Sequence, residues 1–244
     1  MSFLKGEMGM NILLVNDDGY GAQGILLLEK LLKKYGDVFV VAPKLHQSGK
    51  GTSIDFNKPI PYEKIDDHHY ILDSVPVNCT MFGLYGINRK IDLVVSGCNH
   101  GYNITLDTMY SGTIGACTQA LFSRVPAIAF SCQFNYDLVE KYFDYVMNYI
   151  LENDLVSNKY LLNVNFPVGN KVKGIQITKQ HTPKIDYWFD FSEKEIRDDR
   201  TSVVEGAKRG TDVYAIFHDY ISITPLQINQ FNEKYYREVK NKLK

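Results

Sequence analysis

Cysteine is scarce in this chain, and its four thiols (Cys79, Cys98, Cys117 and Cys132) are far apart, with no CxxC spacing among them. A disulfide scaffold or a structural zinc module needs denser, closer cysteines, so neither class fits, and reduced thiols in a cytoplasmic protein are expected. Charge of either sign is not in excess: 27 Lys and Arg stand against 28 Asp and Glu, a formal net charge of −1. No overall basic field is therefore present to draw in a nucleic-acid polymer or an anionic membrane surface. No apolar stretch approaches the roughly 20 residues of a membrane-spanning helix, and no secretory leader pattern opens the sequence. Internal repeats, low-complexity tracts and linkers are also missing. What remains is 244 residues, 45% hydrophobic and 23% charged, the ordinary mixture for a chain that buries one sizeable core. Residues 1–9 carry neither apolar periodicity nor turn chemistry and read as an N-terminal extension; residues 10–244 read as a single domain.

Apolar patterning gives that domain an α/β character. Residues 11–15 (NILLV), 38–42 (VFVVA), 92–96 (DLVVS) and 127–131 (AIAFS) are short continuous apolar runs, the mark of strands buried on both faces. Between the first two, Ile25, Leu28, Leu31, Leu32 and Tyr35 follow helical spacing up to Gly36. Strand, helix and strand within about thirty residues form a βαβ unit with parallel strands. Further helices are predicted from Pro76, over 111–122, and over 139–150, where Val139, Tyr142, Phe143, Val146, Met147 and Ile150 mark an apolar face. Less regular fragments at 60–65 and 70–72 read as short strands, and 161–166 and 174–178 as later ones. The polar stretch 180–211 reads as a protrusion from the main body. Residues 212–217 and 220–224 look like two final strands. Ile228, Phe231, Tyr235, Val239 and Leu243 predict a C-terminal helix within 226–244. The expected architecture is a three-layer α/β/α sandwich around a mostly parallel, Rossmann-like sheet, with a smaller protruding region.

The chemistry is legible in where polar residues fall. After the first strand comes Asn16-Asp17-Asp18-Gly19, after the second His46-Gln47-Ser48-Gly49, and after the third Gly97-Cys98-Asn99-His100-Gly101-Tyr102-Asn103. With parallel strands, all three segments lie along one carboxyl edge, where open α/β sheets bind ligands. Two carboxylates, a hydroxyl and an amide carbonyl make an all-oxygen set suited to Mg²⁺, Mn²⁺ or Ca²⁺ rather than zinc. Adjacent carboxylates repel one another unless a cation lies between them. Taken singly each motif has an ordinary alternative: a helix cap at Asp17-Asp18, a turn at Ser48-Gly49, left-handed loop positions at Asn99 and Asn103. Their convergence at three neighbouring strand ends is what points to a site. Cys98 and His100 alone are too few for zinc. Ser111-Gly112-Thr113 opens a helix of small residues, whose unpaired amides could cradle a phosphate or simply be capped.

Six segments, VNDDGYGAQGI, VVAPKLHQSGKGTSI, VVSGCNHGYN, YSGTIGA, LLNVNFP and DYISITPL, resemble the signature blocks of the SurE (survival protein E) family, in order and over nearly the whole chain from Met10. The resemblance implies a metal-dependent 5′-nucleotidase that hydrolyses nucleoside 5′-monophosphates, with 3′-monophosphates as a further substrate class, and a homodimer or homotetramer. It implies one divalent metal ion per subunit, Mg²⁺ or Mn²⁺, ligated by Asp17, Asp18, Ser48 and Asn99. It places Asn103, Ser111, Gly112 and Thr113 at the phosphate. Asp17 and Asp18 are then the catalytic carboxylates, and which of them handles the attacking water is open. The chain departs from the family pattern at Ser74-Val75-Pro76-Val77-Asn78-Cys79, where Gly-Thr-Pro-x-Asp-Cys is frequent, at Gln119, and at Lys44, where Asp is common. None of these is a proposed ligand.

Competing classes fit less well. A phosphorylated receiver domain needs an Asp directly after the third strand, where Ser96-Gly97 stands. A haloacid-dehalogenase-type phosphatase needs Asp-x-Asp, which the adjacent Asp17-Asp18 breaks. A catalytically silent nucleotide-binding or scaffolding protein on the same fold is the remaining alternative.

Overall fold

The apolar run ahead of Asn16 becomes the middle of the sheet. The structure, a computed structural model, describes residues 9–133, 136–183, 187–192, 194–200, 205–229 and 231–242. Residues 1–8 of the N-terminal extension, parts of the expected protrusion (184–186, 193 and 201–204) and Leu243 lie outside the described residues. β1 (Met10–Val15), β2 (Gly36–Pro43), β4 (His69–Leu72), β5 (Leu93–His100), β6 (Ala127–Cys132) and β7 (Leu161–Asn165) run parallel. β3 (Tyr62–Lys64) joins antiparallel at one edge; β11 (Tyr220–Leu226) pairs antiparallel with β7 and carries β8 (Gly174–Ile177) at the other. The nine strands lie in the order β3-β4-β2-β1-β5-β6-β7-β11-β8.

Alternation along each strand explains why the runs are apolar throughout. Ile12 and Leu14 face α1 (Gln23–Leu32) and α4 (Tyr136–Glu152), packing with Leu28, Phe143 and Met147. Leu13 and Val15 face the other way, toward α2 (Pro76–Tyr85) and α3 (Gly112–Phe122), packing with Cys79, Ile114 and Cys117. Period-two side chains on a doubly covered strand leave no polar position. The result is the three-layer α/β fold. Among the described residues no helix is long and apolar enough to cross a membrane.

Three local expectations change. Residues 212–217 form a helix, α5 (Asp212–Phe217), not a strand. The Thr211 hydroxyl accepts a hydrogen bond from Tyr214 N at 3.3 Å, and Asp212, Val213, Ala215 and Ile216 are buried at helical spacing; six residues are too few for periodicity to separate the two states. β5 continues past Ser96 to His100, with a register irregularity between Ser96 and Asn99. Asn99 therefore sits on a strand end opposite Ser131. At the C-terminus β11 takes residues through Leu226, and α6 spans only Glu233–Asn241, capped by Asn232. β9 (Tyr187–Phe191) and β10 (Ile196–Arg200) form a separate two-stranded antiparallel sheet.

Candidate active site

Asp17 and Asp18 follow β1 at the carboxyl edge, and the two side chains meet different surroundings. Asp17 is 2% exposed, and its Oδ1 accepts a hydrogen bond from Thr113 Oγ1 at 2.6 Å. A Cβ on Gly112 would stand 2.8 Å from Asp17 Cβ, so only glycine lets the start of α3 close on this carboxylate. The helix dipole and the Thr113 hydroxyl thus act on the same buried charge. Burial pushes the Asp17 carboxyl above its usual range; the Thr113 hydroxyl opposes the rise and the Asp18 charge adds to it. Asp18 is more open. Its Oδ2 accepts from His100 N at 3.2 Å, and its Oδ1 lies 3.6 Å from His46 Nδ1. Among the described residues neither carboxylate has a Lys or Arg partner.

Two hydrogen bonds stitch the remaining oxygen donors to this pair. Gln47 N donates to the Asp17 carbonyl at 2.7 Å, which sets Ser48, exposed in the next turn, beside β1. The same loop is held from its far side: Gly51 N donates to the Tyr110 carbonyl at 2.8 Å, and a Cβ on Gly115 would meet Gly51 O at 2.0 Å. The His100–Asp18 contact does for Asn99 what Gln47 does for Ser48. Asn99 Nδ2 donates to the Gly101 carbonyl at 2.9 Å, while Asn99 Oδ1 is buried with no hydrogen-bond partner. Buried polar atoms are rarely left unpaired, and an orphan carbonyl oxygen near two unneutralised carboxylates is the acceptor set that a hard divalent cation completes. The donors therefore fit such an ion. No group of three or more His, Cys, Asp or Glu among the described residues could hold a metal, so the set draws on Ser48 and Asn99 beside the two carboxylates. Cys98 and Cys132 are both buried and unoxidised, with Sγ atoms 3.8 Å apart.

The residues expected at a phosphate are near this edge, but two of their hydroxyls are already engaged. Ser111 Oγ caps α3 by accepting from Ile114 N at 3.2 Å, and Thr113 Oγ1 is given to Asp17. Asn103 is buried, with Nδ2 donating to Ser131 Oγ at 2.8 Å. Gly112 opens the helix whose N-terminus faces Asp17.

Sequence reasoning missed the groups that hold these residues. Asn163 and Asn165, two apart on β7 and hence on one face, both reach the Asn103 carbonyl. A polar pair at that spacing inside an apolar strand was the available signal. Asn78 binds both backbone groups of Asp55, N–H and carbonyl, at 2.8 Å, and Ser74 Oγ donates to the Asp55 carboxylate at 2.9 Å. Two of the departures from the family pattern are thus spent on anchoring the chain that follows the Ser48 loop. The sheet's opposite edge carries a cavity of about 660 Å³ lined by Leu84, Tyr85, Ile91, Arg124, Val125 and Val156 among others, and none of the proposed ligands reaches it.

The sequence model of the family described as Survival protein SurE matches residues 12–186. The chain belongs to the SurE family. It is 34% identical to a protein named 5′-nucleotidase SurE from Clostridium botulinum (strain Eklund 17B / Type B), covering 95% of this chain and 98% of that one. A second protein of that name, from Bradyrhizobium sp. (strain ORS 278), is 30% identical over 93% of this chain and 96% of its own length. The crystal structure of a SurE protein from Aquifex aeolicus superposes with a TM-score of 0.85 at 33% identity, covering 96% of this chain and all of that one.

Proposed function

We propose that this SurE chain is a 5′-nucleotidase: it hydrolyses nucleoside 5′-monophosphates, with 3′-monophosphates as a further substrate class, to nucleoside and phosphate at the carboxyl edge of the sheet. The observation that carries the reading is that two neighbouring strands, β1 and β5, end in a buried carboxylate, Asp17, and in the partnerless oxygen of Asn99. Asp17, Asp18, Ser48 and Asn99 would hold one divalent ion, Mg²⁺ or Mn²⁺. When bound, that ion supplies Lewis acidity to a phosphoryl oxygen and acidifies water. The chain's own groups do the rest. Asp17, fixed by Thr113, keeps the cation in place. Asp18, the more accessible carboxylate, orients the attacking water and takes its proton. The Gly112 amide at the N-terminus of α3 and the Asn103 side chain hold the phosphoryl group as charge grows on its oxygens. Ser111 and Thr113 contribute by shaping that helix start, since their hydroxyls are engaged within the fold.

The reading extends to a cytoplasmic homodimer or homotetramer. Support comes from α6, nine residues long with none buried, below the length at which an isolated helix is even marginally stable, about 12–15 residues. A second copy covering Tyr235 and Val239 would supply the missing packing.

One assay tests the activity. Phosphate release is measured from a panel of nucleoside 5′- and 3′-monophosphates, with EDTA and then with each metal restored. The expected result is turnover abolished by EDTA and recovered by Mg²⁺ or Mn²⁺. Metal binding without phosphate release would replace the enzyme with a silent nucleotide-binding protein.

A further inference from the structure

Asn103 is held through its N–H, carbonyl and side-chain amide nitrogen by three buried side chains. Its N–H donates to Asn165 Oδ1 at 2.9 Å, and its carbonyl accepts from Asn165 Nδ2 at 3.0 Å and Asn163 Nδ2 at 2.7 Å. One amide side chain, that of Asn165, therefore pairs with both backbone groups of one residue, as a neighbouring strand would. Asn165 Nδ2 also donates to Asn163 Oδ1 at 3.2 Å, locking the two clamp residues together. Ser131 Oγ takes the Asn103 side-chain Nδ2. Asn163, Asn165 and Ser131 have no solvent exposure.

Such a cluster is an expensive choice for the interior of a sheet. Strand β7 otherwise reads Leu161, Leu162 and Val164, all buried, and an apolar side chain at 163 or 165 would pack without needing partners. Every polar group left unpaired there costs about 1–3 kcal/mol, so the network is tolerated only while all its members engage. What it achieves is geometric. It fixes one loop residue from two adjacent strands, the backbone from β7 and the side chain from β6. It also acts on the segment before Asn103, because Gly101 takes the Asn99 amide through its carbonyl and donates its N–H to the Cys132 carbonyl at 2.8 Å.

We propose that Asn163, Asn165 and Ser131 are positioning residues: they clamp Asn103 in the one conformation that receives the phosphate group of substrate or product. The proposal rests on Asn103 lying at the phosphate, as in the function proposed above. None of the three clamp residues touches substrate; each acts through Asn103.

Inorganic phosphate as a competitive inhibitor is the probe, with KM and kcat for AMP measured alongside. Metal affinity is taken by calorimetry on the same protein, so that a damaged metal site is seen separately. Asn165→Leu, close in volume, is expected to raise the phosphate inhibition constant and KM about tenfold, with kcat and metal Kd changed less than about threefold. Ser131→Ala, which removes a single hydroxyl, is expected to raise both by about threefold and to keep the fold even if Asn165→Leu does not. A double-mutant cycle separates positioning from general weakening: in an Asn103→Ala background, adding either substitution should change phosphate affinity by less than about twofold. Additive losses in that cycle, or a lowered Tm with unchanged KM and phosphate affinity in the single variants, would overturn the clamp as a positioning device. If Asn103→Ala alone leaves KM and phosphate inhibition unaltered, the placement of Asn103 at the phosphate fails instead, and the clamp falls with it.

Discussion

The carboxyl edge of the sheet and the C-terminal arm treat polarity in opposite ways. At the edge, Asp17, Asn103, Thr113, Ser131, Asn163 and Asn165 are buried, and each is held by named partners. Along the arm, Phe231 and Tyr235 are each 59% exposed and Val239 58%, and no residue of α6 is buried. The ion pairs along α6 among the described residues are local, Glu233 with Arg237 and Glu238 with the capping Lys242, each worth about 0.3–0.5 kcal/mol. Burying polar groups costs free energy and is tolerated where geometry matters; exposing apolar groups is tolerated where another surface will cover them. In the function proposed here, the first region serves chemistry and the second association.

The largest way to break this contrast is at Asp17. Asp17→Asn should lower metal-dependent kcat/KM by about a hundredfold or more, because it removes a charge from the cation set. The fold should gain from the same change. Burial holds the Asp17 carboxyl above its ordinary value of 3.8, so in metal-free protein its ionisation opposes folding above that window. The Tm of Asp17→Asn in EDTA should therefore exceed that of wild type at neutral pH, and the two should converge as pH falls below the raised value toward 3.8. A Tm loss at neutral pH would show that the carboxylate is structurally required.

Gly112→Ala comes next. Its methyl group would have to push α3 away from Asp17, where only 2.8 Å is available, so activity should drop about tenfold or more while the nine-stranded core stays folded. Circular dichroism and turnover on one preparation decide this. On the arm, Tyr235→Glu with Val239→Glu should dissociate the oligomer, read by light scattering at micromolar protein. The Tm of the core should move by no more than about 1 kcal/mol equivalent, since neither side chain contributes to it. An unchanged oligomer would place the contact elsewhere.

The smallest effect sharpens the comparison from neutral ground, on the α1–α4 surface. Lys34 first, then Tyr35, hold the Asp144 carboxyl below 3.8, so this pairing stabilises the fold above that value and the benefit is lost as pH falls through the lowered one. Asp144→Asn should lower Tm slightly at neutral pH and not at all at strongly acidic pH, the reverse of the trend at Asp17. The partners are exposed, so screening keeps the effect slight.

Much of this was written in the sequence. Continuous apolar runs identified β1, β2, β5 and β6 because doubly covered strands have no polar side, and the placement of Asp17, Asp18, Ser48 and Asn99 at the ends of neighbouring strands followed from parallelism. α5 was missed because six residues carry too little periodicity and its cap, Thr211, resembles any turn hydroxyl. The extent of β5 through Asn99 was missed because its irregular register has no apolar signature. Of the Asn163–Asn165–Ser131 clamp, local pattern carried only the polar pair on β7 and not what it binds: the bonds to Asn103 span 28 to 62 residues, and only the folded sheet brings them together.

Anomalous diffraction from crystals of the full chain soaked in Mn²⁺ tests the central claim most directly. One peak per chain is predicted, with Asp17, Asp18, Ser48 and Asn99 oxygens at about 2.0–2.3 Å. Mn²⁺ bound elsewhere, or a peak at this edge whose ligands leave out Asp17 and Asn99, would contradict the claim.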